Sequence, residues 1–304
     1  MITVPSFPEV PADQRATGTL PFRYEDIAQD GRMMLGALSP ALGAVIWTKL
    51  LANHPAARGM RHAQIVPILS RLVVEGMPGP FSVSTIMAVT GGFQMAHAVK
   101  DGAVDKIIIN MSAQMEAPHA STFGPRPPEG APLAVAGRAF AEHVLTRLFA
   151  PAGDRKVTRF DVPGAADVPP DVVAWRPPSA ILELPAGAEP LEPDFTVDPQ
   201  PVIFGLAHTD SNQHVNSLIY PRMFEEVAVR RFAALGKSPV VLARFLEVGY
   251  RKPSFAGERL RIVLRAFTLG SRLGAVGAFV TDDEAALAPA QARPRCCLKM
   301  LFEA

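Results

Sequence analysis

The sequence predicts an α+β fold with an internal duplication, in which each half carries one long helix and several antiparallel strands. Three observations predict it. An order of strand, irregular turn and helix occurs in FRYEDIAQDGRMMLGALSPALGAVIWTKLL (22–51) and again in VIFGLAHTDSNQHVNSLIYPRMFEEVAVRRFAALG (202–236). Each is followed by runs of β-branched and apolar residues bounded by Gly, Pro or Asp, as antiparallel strands require. Between the two lies a Pro-rich stretch: of 30 prolines, about half fall between Pro118 and Pro201, where fixed φ and missing donors oppose regular structure. A chain of 304 residues, at about 150 per domain, accommodates two such units with a sizeable core.

The elements follow in order. The first helix is predicted over 40–52, because Ser39 supplies a cap and Pro40 suits the first helical position. The second is predicted over 221–235, opened near Pro221 and closed by Gly236. Asp30 falls on Asp210 at an offset of 180, and Pro40 on Pro221 at 181. After the first helix, IVPILSRLVVEG, PFSVSTIMAVTG and KIIINMSAQMEA read as strands; after the second, VVLARFLEVGYRK, ERLRIVLRAFTLG, LGAVGAFVTDD and RCCLKMLFEA do. LAVAGRAFAEHVLTRLFA (133–150) has apolar residues at helical spacing and no proline, so an amphipathic helix is expected there. The units are thus 1–118 and 201–304, joined by a connector over 119–200 with one helix.

Composition excludes several classes. Lys+Arg 30 against Asp+Glu 29 leaves no general field to hold nucleic-acid phosphates. MITVPSFPEVPADQRATG lacks the basic start and apolar run of a signal peptide, and Lys49, Arg71 and Glu75 interrupt the stretches that approach the roughly 18 apolar residues of a membrane span. A cytoplasmic chain without membrane association is expected. Cys296 and Cys297 are adjacent, so on a strand they face opposite ways and suggest neither a disulfide nor a zinc site. His54, His62, His97, His119 and His143 show no metal-ligand spacing. No GxGxxG, GxxxxGK[ST] or GxSxG tract occurs. No cofactor and no metal are expected.

The polar tract TDSNQHVNSLIY (209–220) carries the chemistry. A base or nucleophile, a group to hold water, and donors for a developing oxyanion are what attack of water on a carbonyl carbon needs. Asp210 supplies the first, Asn212 the second, and His214 with the amides of the helix start the third. The bland alternative is that these residues only build a turn and cap a helix. In the first half Asp30 is kept, while Arg32, Met34 and Gly36 replace Asn212, His214 and Asn216; Asp30 with Arg32 reads as a surface ion pair. Glu75, laid on Pro253, reads as a strand-end residue facing water. Glu226 and Arg230 suit a helix-surface pair, and His208 a satisfied strand histidine. Arg251 and Lys252 suit the phosphates of a ligand, or plain exposure.

The string TDSNQHVNSLIYPRMFEEVAVRRF resembles the signature of the hotdog-fold acyl thioesterases, in which an Asp precedes a His by four positions, HVNN and a Tyr follow, and a helix carries Glu-Glu and Arg. Asp210, Asn212, His214, Val215, Asn216 and Tyr220 match position by position. The plant-type acyl-ACP thioesterases, where the tract reads DVNQHVNN, are particularly similar, and 4-hydroxybenzoyl-CoA thioesterase-like proteins share the arrangement. Ser217 replaces the second Asn. GYRKPSFAGERL (249–260) is similar to their YRRE followed by Cys, with Pro253 and Ser254 replacing the Glu and Cys. The resemblance implies a double hotdog, two helix-wrapping antiparallel sheets forming an internal pseudo-dimer, with a degenerate first site and a competent second one. It implies hydrolysis of an acyl-CoA or acyl-ACP thioester to free acid and thiol, with Asp210, Asn212 and His214 catalytic, Asn216 and Tyr220 on the substrate, and a homodimer as a further assembly. Since Pro253 can neither take a proton nor donate from its backbone, Asp210 is expected either to attack the thioester directly or to activate one water, the second being favoured because Asn212 offers a group to position that water. Two rivals stand. Hydratases and dehydratases of this fold carry Asp-x-Asn-Pro with His five after the Asp, whereas His214 is four after Asp210 and Gln213 stands in the proline position. A non-catalytic acyl-thioester-binding accessory protein is the other.

Overall fold

A computed structural model describes residues 2–52, 54–160, 166–287 and 291–304. The chain divides into two compact units, Val4–Arg176 and Pro177–Ala304. In the N-terminal unit, β1 (Arg15–Pro21) precedes a π-helix (Leu42–Leu51) and α1 (Pro55–His62). Then come β2 (Val66–Gly76), β3 (Ile86–Lys100), β4 (Ala103–Pro118), β5 (Leu133–Thr146) and the short β6 (Asp171–Val172). The strands pair antiparallel in the order β1-β3-β4-β5-β2, with β6 parallel to β3.

The helix predicted over 40–52 is present but wound wider than an α-helix, with the Ala52 amide donating to the Trp47 carbonyl five residues back at 2.9 Å. Its start is held by the Leu42 amide on the Ser39 carbonyl at 3.1 Å. The Ser39 hydroxyl is buried without a hydrogen-bond partner, so the side-chain cap expected of it is not made. Val45 and Ile46 are buried against the sheet at Gly91, where a Cβ would stand 2.7 Å from Ile46 Cδ1. Glycine there lets the helix lie close.

One expectation fails outright. The helix predicted within 133–150 is instead β5, which pairs with β4 on one side and β2 on the other. Residues from both of its faces are buried, among them Ala136, Ala139, Phe140, Ala141 and Leu145. A strand covered on both faces is apolar nearly throughout, and such a run imitates helical spacing. The Pro-rich stretch is therefore no spacer with a helix in it. Its first part supplies a central strand of the N-terminal sheet, and its last part packs on the C-terminal one.

In the C-terminal unit, β7 (Glu189–Pro190), β8 (Thr196–Val197) and β9 (Val202–Ile203) are short and pair with β11. α2 (Ile219–Ala234) follows, then β10 (Leu242–Tyr250), β11 (Arg259–Leu269), β12 (Arg272–Val280) and β13 (Cys296–Glu303). The long strands are antiparallel in the order β10-β13-β12-β11. α2 presents Phe224, Val227, Ala228 and Phe232, all buried, at the three- and four-residue spacing that makes one helix face. Gly277 repeats the role of Gly91: a Cβ there would stand 2.6 Å from the Phe224 ring. Pro221 falls in the first turn, where a missing amide costs little, so α2 begins two residues before it.

The pair expected between Glu226 and Arg230 is replaced. Arg230 reaches Asp198 at 3.3 Å, and Arg231 reaches the buried Glu192 at 2.5 Å. Glu192 also accepts from the Ala266 amide and the Thr196 hydroxyl, so the chain after Pro177 is tied to α2 and β11. No described helix is long and apolar enough to cross a membrane.

Candidate active site

The polar tract forms a tight loop immediately before α2. Thr209 and Val215 bridge as a miniature antiparallel pair. Within it the Asp210 amide donates to the His214 carbonyl at 3.1 Å, and the Gln213 amide to the Asp210 carbonyl at 2.9 Å. The Asn216 amide closes the base on the His208 carbonyl at 2.9 Å. Gln213, at the tip, has φ +64°. Upstream, the Gly205 amide donates to His208 Nδ1 at 3.1 Å, so His208 is engaged in building the loop.

These bonds place the side chains. The Asp210 carboxylate is half-buried; its Oδ1 accepts from the Asn212 amide at 2.8 Å and its Oδ2 from Asn216 Nδ2 at 3.4 Å. Asn216 Oδ1 accepts from the Leu218 amide at 2.9 Å, so one side chain both holds the turn that leads into α2 and orients the carboxylate. Asn212 is exposed at the turn. His214 is half-buried, its Nδ1 at 3.3 Å from the Val215 carbonyl. The structure thus brings Asp210, Asn212 and Asn216 into hydrogen-bonded contact and sets His214 on the same loop.

Tyr220 is placed differently from the substrate contact expected of it. It is buried among Phe204, Tyr250 and Phe279, its hydroxyl accepts from the Ser254 amide at 3.1 Å, and burial pushes its pKa up to about 12. It anchors the 251–258 segment, whose Ser254 carbonyl in turn accepts from the Val215 amide at 2.8 Å. The helix-start amides are also less available than expected: Leu218 and Ile219 both donate to Asn216, and Pro221 has none. Ser254 is fully buried. Cys296 and Cys297 are free and buried; burial pushes Cys297 up to about 12 and Cys296 well above its ordinary value, which removes both as nucleophiles.

The N-terminal unit repeats this loop bond for bond, at an offset of 182. Ile27 and Met33 bridge; the Ala28 amide donates to Arg32 O at 2.8 Å, Gly31 to Ala28 O at 2.9 Å, and Met34 to Asp26 O at 2.9 Å. The Arg23 amide donates to Asp26 Oδ2 at 2.9 Å, as Gly205 does to His208. The offset of 180 read from the sequence is therefore corrected by two residues. Ala28, not Asp30, occupies the Asp210 position; Asp30 stands for Asn212, Arg32 for His214 and Met34 for Asn216. Asp30 and Arg32 do form the expected ion pair, at 2.6 Å, and it holds the Asp30 carboxyl below its ordinary value. The laying of Glu75 on Pro253 is corrected too. β2 and β10 each carry a bulge, at Ser70 and Arg244, and aligning the bulges sets Glu75 on Gly249. A cleft of about 550 Å³ lies over this N-terminal loop, lined by Tyr24, Asp30, Val83 and Phe123 among others. Among the described residues no group of three His, Cys, Asp or Glu side chains is placed to hold a metal.

Residues 212–288 match the family model of the thioesterase superfamily. No curated protein is significantly similar to the chain. Among solved structures, a protein of Lactobacillus plantarum assigned as an oleoyl thioesterase is 12% identical, with a TM-score of 0.58 over 96% of this chain and 98% of that one. The 12:0-ACP thioesterase of Umbellularia californica is 13% identical, with a TM-score of 0.54 over 95% and 94%. An acyl-ACP thioesterase of Bacteroides thetaiotaomicron is 15% identical, with a TM-score of 0.51 over 95% and 98%. Likeness at such identities establishes the fold. The chain has the fold of the hotdog thioesterases, and its residues 212–288 are similar to the thioesterase superfamily.

Proposed function

We propose that this chain hydrolyses an acyl thioester, carried by coenzyme A or an acyl carrier protein, at the Asp210 loop. The observation that carries the reading is the Asp210 carboxylate, half-buried and oriented on both oxygens by the Asn212 amide and the Asn216 side chain. Such a group takes a proton from water as the oxygen adds to the thioester carbonyl carbon. Collapse of the adduct breaks the carbon–sulfur bond, and the thiolate leaves with a proton, giving free acid and thiol. Asn212, exposed at the turn, holds the water, and His214 donates to the substrate oxygen. Two of the similar structures are acyl-ACP thioesterases, which supports a carrier-protein thioester.

The bond-for-bond repeat of the two loops, the matched bulges and the matched glycines under the helices support a double hotdog, one active site on a duplicated chain. A cytoplasmic location and a further homodimer belong to the same reading, and sedimentation equilibrium tests the dimer. Thiol release from acyl-CoA and acyl-ACP panels by the purified chain tests the function. Turnover that survives Asp210→Asn places the chemistry elsewhere; binding of the thioesters without turnover makes this an accessory protein.

A further inference from the structure

We infer that Tyr250 is a positioning residue of the Asp210 site: its hydroxyl, through one peptide group and the Asn216 side chain, sets the orientation of the Asp210 carboxylate. The assignment rests on the thioesterase reading of that loop. Tyr250 is the last residue of β10, paired with Cys296 of β13, and its hydroxyl donates to the Ser217 carbonyl at 2.9 Å. The carbonyl of Ser217 and the amide of Leu218 are the two ends of one planar peptide group. Tyr250 therefore holds one end of that group while Asn216 Oδ1 accepts from the other at 2.9 Å.

The consequence runs through Asn216. With its oxygen committed to the Leu218 amide, its NH2 end must face the other way, where Asp210 Oδ2 accepts from it at 3.4 Å. The links form a continuous, polarised chain of hydrogen bonds from a rigid strand end to the carboxylate. The last link is the longest, so a small tilt of the Ser217–Leu218 peptide breaks it first. A strand end is also a better fixed point than the loop, because β10 is buried along nearly its whole length.

The N-terminal unit supports the assignment by lacking the whole chain together. Ala28 stands for Asp210 and Met34 for Asn216. Counting from the bulges, β2 ends in Gly76 where β10 ends in Tyr250. Carboxylate, amide and hydroxyl are all missing from the half whose backbone otherwise repeats the loop.

Tyr250→Phe removes the hydroxyl alone, and the full chain is examined in two ways. By NMR, the Asn216 side-chain amide and the Leu218 backbone amide signals shift in the variant, while the Gln94 side-chain amide in the other unit does not. In turnover of an acyl thioester, kcat falls on the order of tenfold with KM within about twofold, and Asn216→Ala in the same background adds no further loss. Asn216→Ala alone cuts the chain at its other link and stands in if Tyr250→Phe fails to fold, giving the same loss in kcat at constant KM. Unmoved Asn216 signals, or losses that multiply in the double variant, overturn the proposal. The NMR arm needs no substrate, so failure of the thioesterase reading, seen as a wild-type chain without turnover, is told apart from failure of this one.

Discussion

In the N-terminal unit residues 26–34, and in the C-terminal unit residues 208–216, make the same bridge and the same backbone hydrogen bonds, down to a positive φ at Gly31 and at Gln213. Their side chains share almost nothing. Where the second loop sets Asp210, Asn212, His214 and Asn216, the first sets Ala28, Asp30, Arg32 and Met34. Main-chain donors and acceptors are common to every residue but proline, so a hydrogen-bonded loop survives side-chain replacement that erases a reactive constellation. Of the two carboxylates in the first loop, Asp26 is tied to Arg23, and Asp30 lies two positions out of place and is neutralised by Arg32.

The sharpest way to break that comparison is Asp210→Asn, which keeps volume and removes the base. Turnover is expected to fall about 1,000-fold or more, with a thermal melt close to that of wild type. Next, Asn212→Ala and His214→Ala are each expected to lose about 10- to 1,000-fold in kcat; equal losses from the matching Asp30→Ala would refute the asymmetry.

A third test uses stability. Beside the bulges, β5 carries His143 where β13 carries Phe302, and burial holds His143 down to about 4. The unfolded chain binds a proton at ordinary histidine pH and the folded one does not, so stability present above about pH 6.5 is lost as pH falls toward 4, by roughly 3 kcal/mol. Urea melts across that range should show the loss in wild type and a flatter profile in His143→Phe; identical profiles would remove His143 as the cause. The smallest effect is expected from Ala28→Asp in the Asp210→Asn background. No activity should return, because Met34 and Gly76 still leave the new carboxylate unoriented, and measurable rescue would mean that residue 28 alone separates the loops.

Much of the fold is legible in the sequence because turn residues bound its strands and Phe224, Val227, Ala228 and Phe232 mark the buried face of α2. β5 is not, since burial on both faces leaves an apolar run without a two-residue period. The loop around Asp210 is legible from polar residue types at close spacing. Its counterpart is misaligned because an identical aspartate two residues away attracts the match, and only backbone bonding reveals Ala28. Tyr250 lies in the tract similar to YRRE, but nothing in the sequence ties it to the loop: it ends a strand some thirty residues downstream, and its partner is a carbonyl, which every residue has.

The tips of the two loops differ in what they cost. A left-handed backbone is free of penalty for Gly31 but costs a residue with a side chain on the order of 1 kcal/mol, as Gln213 must bear. The second loop is thus spring-loaded, and the bonds around Asp210 act as its latch. Any variant that releases the latch gains that energy back as the tip relaxes, so damage at Asn216 or Val215 should spread to the reactive carboxylate, whereas the first loop, at rest on its glycine, would absorb the same damage locally.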